Sequence, residues 1–422
     1  MRGIVLWYSS DMLTITRREL GSLLLAAGVR PQRLFGATSI DETLRSGIRQ
    51  RKIPASAAVV ATADKVTYTG AFGKRDGSSG MDVKPDSIFR IASMTKAITT
   101  TAAMQLVDQG KVSLTAPVSK YLPELGKVEV LDGFDSAGKP MLRPPKNPIE
   151  LRHLMTHTSG LVYSAWDPLL DKYNKVTGNA PPPGTVAPLT PLAFDPGTRW
   201  QYGTGIDWTG KLVEKISGLS LEQYFQRNIL GPLGMKDTTF VLPEDKFNRL
   251  VSSYRRQKDG SLKEDARAMP TPPKAFNGGG GLYSTAPDYI RFTQMILRKG
   301  RSASGDQILA PKTVEMMSAN QIGSVNVHKM TSTDPAVSAD VDMHPGAADK
   351  YTFGFLMNPV AYQGGRSAGS LAWAGIENTF YWIDPKRGIS AVIMMQFFPF
   401  VDPQAVGLLG DFERAVYANM AA

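Results

Sequence analysis

The chain has 422 residues and a formal net charge of +10, and 42% of its residues are hydrophobic, which is ordinary globular composition. It contains no cysteine, so thiolate catalysis, cysteine-ligated zinc, iron–sulfur clusters and disulfides are excluded. The basic residues are scattered, so the sequence predicts no nucleic-acid partner. The positive net charge is expected to favour solubility and some attraction to anionic surfaces.

Residues 1–37 are predicted to form a leader of the twin-arginine export type. Arg17 and Arg18 precede an apolar run over 20–29, and small residues follow up to Ala37. The run is shorter than the about 20 residues of a membrane-spanning helix and has the proportions of a signal-peptide core. A disordered extension or an amphipathic first helix is the alternative. Export predicts a periplasmic or secreted protein, and the alternative predicts a cytoplasmic one. No integral membrane segment is predicted.

Strand patterns lie near both ends of the chain, with mostly helical patterns between them. The stretches 55–76 and 377–396 each predict a hairpin, turning at Asp64-Lys65 and at 384–388. Helical patterns include 93–110, 208–218, 220–230 and a last helix over 403–420. We therefore predict a two-lobed α+β fold with one antiparallel sheet built from both ends of the chain.

Lobe boundaries follow from the same order of elements. An α/β lobe is predicted from about 38–90 and 285–422, with a mostly helical lobe of about 91–284 inserted between its two parts. The length of the chain exceeds one typical core and agrees with this division. Residues 38–422 are thus expected to form one domain with two lobes.

Ser93 and Lys96 are candidates for a nucleophile and its base. Residues i and i+3 share one face of a helix, so the amine of Lys96 is within reach of the Ser93 hydroxyl, which needs a base to react. The alternative is a serine that caps the helix and a solvated lysine. Small, uncharged residues around the pair favour a buried helix whose N-terminus faces a cleft. Backbone N–H groups at such an end can stabilise an oxyanion.

Tyr202 is a second candidate for acid–base chemistry. It lies on the glycine-rich turn "DPGTRWQYGTG", just before a predicted helix. A free phenol ionises near pH 10, so it needs a nearby cation to act as a base at neutral pH, and Lys96 is a candidate for that cation. The alternative is an aromatic side chain packed on a turn.

Trp373-Ala374-Gly375 is predicted to begin a strand. Gly375 would allow a ligand to approach the backbone closely. The N–H group of Ile376 would then pair with that of Ser93 as a two-donor oxyanion hole. By itself, this pattern is only a strand with a glycine.

Three further motifs are rejected. Residues 365–369 match a G-x-S-x-G nucleophile elbow, but no histidine follows Ser367 in the chain. His153 and His157 have the spacing of a zinc helix but lack the glutamate of that motif, and His157 is interpreted as structural. The run 278–281, "GGGG", lacks the Gly-Lys-Ser/Thr ending of a phosphate loop. No metal site is predicted.

The motif Ser93-x-x-Lys96, the turn at Tyr202 and the W-x-G at 373–375 together resemble the serine β-lactamase and penicillin-binding protein superfamily. The closest resemblance is to class C β-lactamases and family VIII carboxylesterases. The phrases "LMTHTSGL", "FDPGTRWQYG", "LGMKDTTF" and "GGGGLYSTAPDYIRF" follow in the family's order, from about residue 40 to near the end. The resemblance implies a β-lactamase-like fold with a cleft between an α/β lobe and a helical lobe.

The same resemblance implies the roles of the site residues. Ser93 is expected to be the acylated nucleophile, with Lys96 and Tyr202 sharing the acid and base work. The backbone N–H groups of Ser93 and Ile376 are expected to form the oxyanion hole. No metal or organic cofactor is expected.

Two departures from the family's β-lactamases bear on the substrate. Tyr202-Gly203-Thr204 replaces Tyr-x-Asn, whose asparagine binds the amide of the substrate. Trp373-Ala374-Gly375 replaces Lys-Thr-Gly, whose lysine attracts the substrate carboxylate, a contact worth about 1.5–3 kcal/mol. Both changes resemble the esterase branch, so Thr204, Trp373 and Gly375 are predicted to bind the substrate.

The predicted function is therefore that of a serine carboxylesterase. It would hydrolyse small, short-acyl, uncharged esters through a Ser93 acyl-enzyme, with weak β-lactam hydrolysis as a side activity, and would be a monomer or a weak homo-oligomer. Alternatives from the same superfamily are a β-lactamase or D-Ala-D-Ala carboxypeptidase, and an acyltransferase or amide-oligomer hydrolase. A non-catalytic module that binds cell-wall peptide is the alternative from another class.

Overall fold

The computed structural model describes residues 4–8, 11–15, 39–179 and 189–420. The predicted leader core, with Arg17 and Arg18, lies outside these residues. Two strands within the predicted leader, β1 (Ile4–Tyr8) and β2 (Asp11–Ile15), pair antiparallel. None of the helices in the described part of the chain has both the length and the apolar character needed to cross a membrane.

Strands are concentrated near both ends of the chain, and most helices lie between them. The further strands are β3 (Ala55–Thr62), β4 (Val66–Gly73), β5 (Phe89–Arg90), β6 (Val130–Phe134), β7 (Pro140–Arg143), β8 (Tyr254–Arg256), β9 (Leu262–Glu264), β10 (Tyr283–Ser284), β11 (Lys350–Tyr351), β12 (Leu356–Met357), β13 (Leu371–Gly375), β14 (Thr379–Asp384), β15 (Ile389–Met394) and β16 (Phe397–Phe398). The helices are α1 (Ile40–Gln50), α2 (Thr95–Asp108), α3 (Leu151–Met155), α4 (Pro168–Thr177), α5 (Gly205–Ser217), α6 (Leu221–Phe225), α7 (Ala286–Leu297), α8 (Pro311–Met317) and α9 (Pro403–Met420).

One seven-stranded antiparallel sheet joins the two ends of the chain. Its strand order is β11-β12-β13-β14-β15-β3-β4, and the pairing of β15 with β3 places Val392 opposite Val59. Both predicted hairpins, β3–β4 and β14–β15, are confirmed. Helix α7 packs on β15 and β3, and the Trp382 and Phe412 rings lie 5.5 Å apart where α9 packs on the sheet. Because helices cover the sheet on both sides, every residue of β14 and β15 is buried.

The segment between the two parts of the sheet carries helices α2 to α8, and α2 to α6 lie in its first part, before α7, which packs on the sheet. Helix α2 packs against α5 and is buried along almost its whole length. Small residues at 97 and 99–103 allow this close packing, because they add little bulk between neighbouring backbones. The helix therefore has almost no solvent-exposed face, as the sequence around Ser93 indicated.

One predicted strand boundary is wrong. Trp373-Ala374-Gly375 forms the end of β13, where it pairs with the start of β14, and does not begin a strand. The turn after it includes Asn378, which has a φ of +62°, a left-handed conformation that asparagine adopts more readily than most residues. Ile376 therefore lies in the turn between β13 and β14, directly after the last residue of β13.

Candidate active site

Ser93 lies in a 3₁₀ turn, Ala92–Met94, which leads from β5 into α2. Ala92 has a φ of +43°, a conformation that costs a residue with a side chain about 1–3 kcal/mol. Met94, not Ser93, caps α2, and no side chain makes a capping hydrogen bond there. The interpretation of Ser93 as a helix cap is therefore wrong.

The structure brings Ser93, Lys96 and Tyr202 together. The Lys96 Nζ donates to Ser93 Oγ at 3.2 Å, and the Tyr202 hydroxyl donates to the same oxygen at 2.6 Å. Lys96 is fully buried, Tyr202 is buried, and Ser93 remains partly exposed. A partly exposed hydroxyl with two buried acid–base groups in contact is the arrangement that an activated serine needs.

Lys96 has further partners that the sequence did not reveal. Its Nζ also donates to the Tyr163 hydroxyl at 3.1 Å and to the carbonyl oxygen of Gly279 at 2.5 Å. The Tyr163 hydroxyl in turn donates to Asp207 Oδ2 at 3.0 Å. With Ser93, three acceptors surround Nζ, which matches the three donors of an ammonium group.

The buried charges at this site balance each other. Burial raises the pKa of the Asp207 carboxyl, and the nearby Lys96 ammonium opposes that shift. Burial, reinforced by Asp207, raises the pKa of Tyr163 well above that of a free phenol. Tyr163 therefore stays protonated and bridges a buried cation and a buried anion. A pair bridged in this way avoids the cost of an isolated buried charge.

The glycine run 278–281 shapes the other side of Lys96. A Cβ atom at Gly279 would lie 2.1 Å from Asp207 Oδ2, so no side chain fits there. The Gly278 carbonyl accepts from the Thr99 hydroxyl at 2.6 Å. The glycines thus let the backbone carbonyls reach α2 directly.

The end of β13 packs against the turn that holds Ser93. A Cβ atom at Gly375 would lie 2.3 Å from the carbonyl oxygen of Ile91. The close approach at Gly375, predicted to be to a ligand, is therefore to the backbone beside Ser93. Ile376 and Ser93 line the same cavity. The Asn378 amide donates to the carbonyl oxygens of Phe397 and Pro399 at 2.8 Å each and holds this turn in place.

Gly375→Ala is expected to reduce kcat for ester cleavage about a hundredfold, because the added methyl group must push the turn after β13 away from Ser93. Removing one oxyanion donor has an effect of about this size. Steady-state kinetics with an activated ester measure it. Gly280→Ala is the matched control, since its Cβ atom would lie 3.6 Å from the nearest atom, in ordinary contact. Equal losses in the two variants would contradict the positioning role of Gly375.

His157 lies behind the site and packs on Tyr202, with ring centroids 4.8 Å apart. Its Nδ1 accepts from the Gly203 N–H group at 3.4 Å. Burial, followed by the charge of Lys96, lowers its pKa well below the usual value, so the ring stays neutral. His153 has a different partner, the N–H group of Glu150. Within the described residues, no group of three or more metal-binding side chains is present.

A cavity of about 440 Å³ opens at Ser93. Tyr202, Ile376 and three tryptophans, Trp166, Trp200 and Trp373, line part of it. Thr204 and Gly375, both predicted to bind the substrate, are not among its lining residues. Thr204 is buried, and its hydroxyl has no hydrogen-bond partner in the described part of the chain. Of the three residues predicted to bind the substrate, Trp373 therefore lines the cavity, whereas Thr204 and Gly375 do not.

Comparisons with known proteins agree with this arrangement. The family model for beta-lactamase matches residues 40–411. The chain belongs to the β-lactamase family. A monacolin J acid methylbutanoyltransferase from Aspergillus terreus is 33% identical over 411 residues, which cover 90% of this chain and 95% of that protein. A lovastatin esterase from Penicillium rubens is 31% identical over 407 residues, which cover 91% of this chain and 99% of the esterase.

Solved structures confirm the predicted β-lactamase-like fold. A simvastatin synthase variant from Aspergillus terreus has a TM-score of 0.77 at 32% identity, over 90% of this chain and 96% of that one. EstCE1, a hydrolase with promiscuous acyltransferase activity, shares the fold with a TM-score of 0.68 at 22% identity, over 90% and 97% of the two chains. This β-lactamase-family protein is thus an enzyme of the hydrolase and acyl-transfer class.

Proposed function

We propose that this enzyme transfers an acyl group from an uncharged ester or thioester to an alcohol, with water as a competing acceptor. The observation that supports this most strongly is the Ser93 hydroxyl, with Tyr202 at 2.6 Å and Lys96 at 3.2 Å, at the mouth of a largely apolar cavity. The relatives favour transfer over the carboxylesterase activity predicted from the sequence, because several of them are named acyltransferases. The lovastatin esterase supports hydrolysis as the second candidate.

In the proposed acylation step, Tyr202 reacts as a phenolate that the Lys96 ammonium stabilises, after its own proton has left to solvent, and its oxygen takes the proton of Ser93. The Lys96 Nζ lies 4.9 Å from the centre of the Tyr202 ring. Ser93 Oγ attacks the carbonyl carbon, and the backbone N–H groups of Ser93 and Ile376 hold the oxyanion. The leaving group takes its proton from Tyr202. In the second step, the acceptor gives a proton to Tyr202, attacks the acyl carbon and releases Ser93.

Charges around the cavity favour an uncharged substrate. Lys329 is a lining cation, but it forms an ion pair with Asp340 at 2.8 Å. Asp342 and Asp349 add carboxylates to the lining, and Trp373 stands where the family's β-lactamases carry lysine. A substrate carboxylate would therefore meet acidic side chains without an unpaired cation to offset them.

With p-nitrophenyl butyrate and 1-butanol, the wild-type enzyme is expected to form butyl butyrate faster than butyrate, and to cleave a chromogenic cephalosporin at least about a hundredfold more slowly. Absorbance measures p-nitrophenol, and gas chromatography separates ester from acid. A reaction without enzyme is the control. Butyrate as the sole product would favour the carboxylesterase, and a better rate with the cephalosporin would contradict the preference for uncharged substrates.

A further inference from the structure

A second cavity, of about 720 Å³, adjoins the Ser93 cavity and shares part of its wall. The residues that line both cavities are Asp342, Met343, His344, Leu356 and Trp373. Together the two cavities provide far more room than a short acyl group needs. The shared wall places one end of the second cavity beside the reacting centre.

A histidine–carboxylate pair stands at this junction. His344 Nδ1 is hydrogen-bonded to Asp349 Oδ2, and Asp349 is buried. The His344 ring lies 4.5 Å from the ring of Tyr362, which lines the second cavity. His344 Nε2 has no hydrogen-bond partner within residues 39–179 and 189–420. A carboxylate on Nδ1 holds the neutral ring with its proton on that nitrogen, so Nε2 can accept a hydrogen bond from a hydroxyl group.

Polar atoms without partners surround the same junction. Trp373 Nε1, the Tyr362 hydroxyl and Asp349 Oδ1 are each buried without a hydrogen-bond partner in the described part of the chain. Buried polar groups are normally paired, and unpaired ones call for a ligand or water. These atoms lie on residues that line one or both cavities.

Most of the remaining wall of the second cavity is apolar. Side chains that line it and not the first cavity include Ala372, Phe380, Val401, Val406 and Leu409. Its two arginines, Arg366 and Arg414, are paired with Glu413 and Asp411 respectively, each at 2.5 Å. An uncharged molecule with a bulky apolar body fits this wall better than an anion does.

We infer that the second cavity is the acceptor subsite, which binds an uncharged alcohol with a bulky apolar body, and that His344 Nε2 accepts a hydrogen bond from a hydroxyl group of that alcohol. The inference rests on the proposed acyl transfer. It requires that the acceptor extend from the second cavity past Met343 and Trp373 towards the acylated Ser93.

Two alcohols of different size test the subsite. With p-nitrophenyl butyrate as donor, 1-naphthalenemethanol should need the second cavity, whereas methanol should not. Val406→Trp fills the cavity from α9, and Val406 is 43% exposed, so the variant is expected to fold. It should lower the ratio of naphthylmethyl ester to butyrate at least tenfold, and leave the methyl ester ratio and the p-nitrophenol burst unchanged. His344→Phe should lower the first ratio about fivefold, through loss of one hydrogen bond.

Binding without turnover separates the subsite from the proposed function. Calorimetry with 1-naphthalenemethanol should detect binding to Ser93→Ala and at least tenfold weaker binding to the double variant with Val406→Trp. Equal binding to these two proteins, or equal loss of transfer to both alcohols, would overturn the subsite. A wild type that releases no p-nitrophenol from the donor would overturn the proposed acyl transfer instead, and the calorimetry would still decide whether the cavity binds the alcohol.

Discussion

Ser93→Ala is expected to reduce p-nitrophenyl butyrate cleavage at least about a thousandfold, while Ser367→Ala stays within twofold of the wild type. Of these two serines, Ser93 is the one that contacts both a buried lysine and a tyrosine hydroxyl. The N–H group of Ser367 donates to Asp384 Oδ2 at 2.9 Å, in the loop before β13 and outside the lining of the Ser93 cavity. Initial rates of p-nitrophenol release measure both effects.

Thermal unfolding of the two serine variants is the control, because each change removes a single hydroxyl group and should leave the fold intact. A cephalosporin assay in parallel shows whether the same serine serves both substrates. Full activity in Ser93→Ala would contradict the catalytic assignment. Loss of activity in Ser367→Ala at an unchanged unfolding temperature would instead indicate that Ser367, in the rejected G-x-S-x-G motif, is the nucleophile.

Asp207→Asn is expected to lower kcat about a hundredfold, with a much smaller change in KM. The substitution keeps an acceptor for the Tyr163 hydroxyl but removes the negative charge that balances the buried Lys96 ammonium. The Lys96 cation, proposed to stabilise the Tyr202 phenolate during acylation, is then disfavoured by its own burial. Steady-state kinetics at neutral pH, with thermal unfolding as a check on folding, measure the effect.

The rate of the wild-type enzyme is also expected to depend on pH, because Asp207 must be ionised. Because burial raises the pKa of Asp207 above its usual value of 3.8, the wild-type rate should fall as the pH drops through that raised pKa, where the carboxylate becomes protonated. In Asp207→Asn that decline should be absent from the residual activity.

Tyr163→Phe is the companion variant to Asp207→Asn. It removes the bridging hydroxyl and keeps the charge of Asp207, so a loss of only about tenfold is expected. An Asp207→Asn enzyme with the kcat and pH profile of the wild type would contradict the role of the buried charge.

The sequence predicted the parts of the site that depend on residues close together in the chain. Ser93 and Lys96 are three residues apart, and a helix places such residues on one face. The glycines around Tyr202 mark a turn, and its contact with Ser93 Oγ was inferred from the order of family motifs. The two hairpins followed from alternating patterns with a turn between them.

The parts that the sequence missed depend on contacts between distant segments. Tyr163 and Gly279 are 67 and 183 residues from Lys96 along the chain. Tyr163 stands in no motif of its own, and Gly279 was noted only within the glycine run 278–281, with no role assigned to its carbonyl. The role of Asp207 was not predicted, because an acidic residue in the first turn of a helix is usually explained by its favourable interaction with the helix dipole. A carboxylate within an otherwise uncharged turn, next to a candidate tyrosine, was the available signal.

The sequence by itself determined the family, the sheet drawn from both ends of the chain, and the candidate nucleophile with its nearest lysine and tyrosine, because local periodicity and ordered motifs carry that information. Tertiary structure alone decided which residues complete the site. Burial turns Lys96, Tyr163 and Asp207 into one charge-balanced unit, and the end of β13 sets where Ile376 lies. The two adjoining cavities likewise arise from packing between the segment over 326–349, the sheet and α9, and no spacing within any one of these segments encodes them.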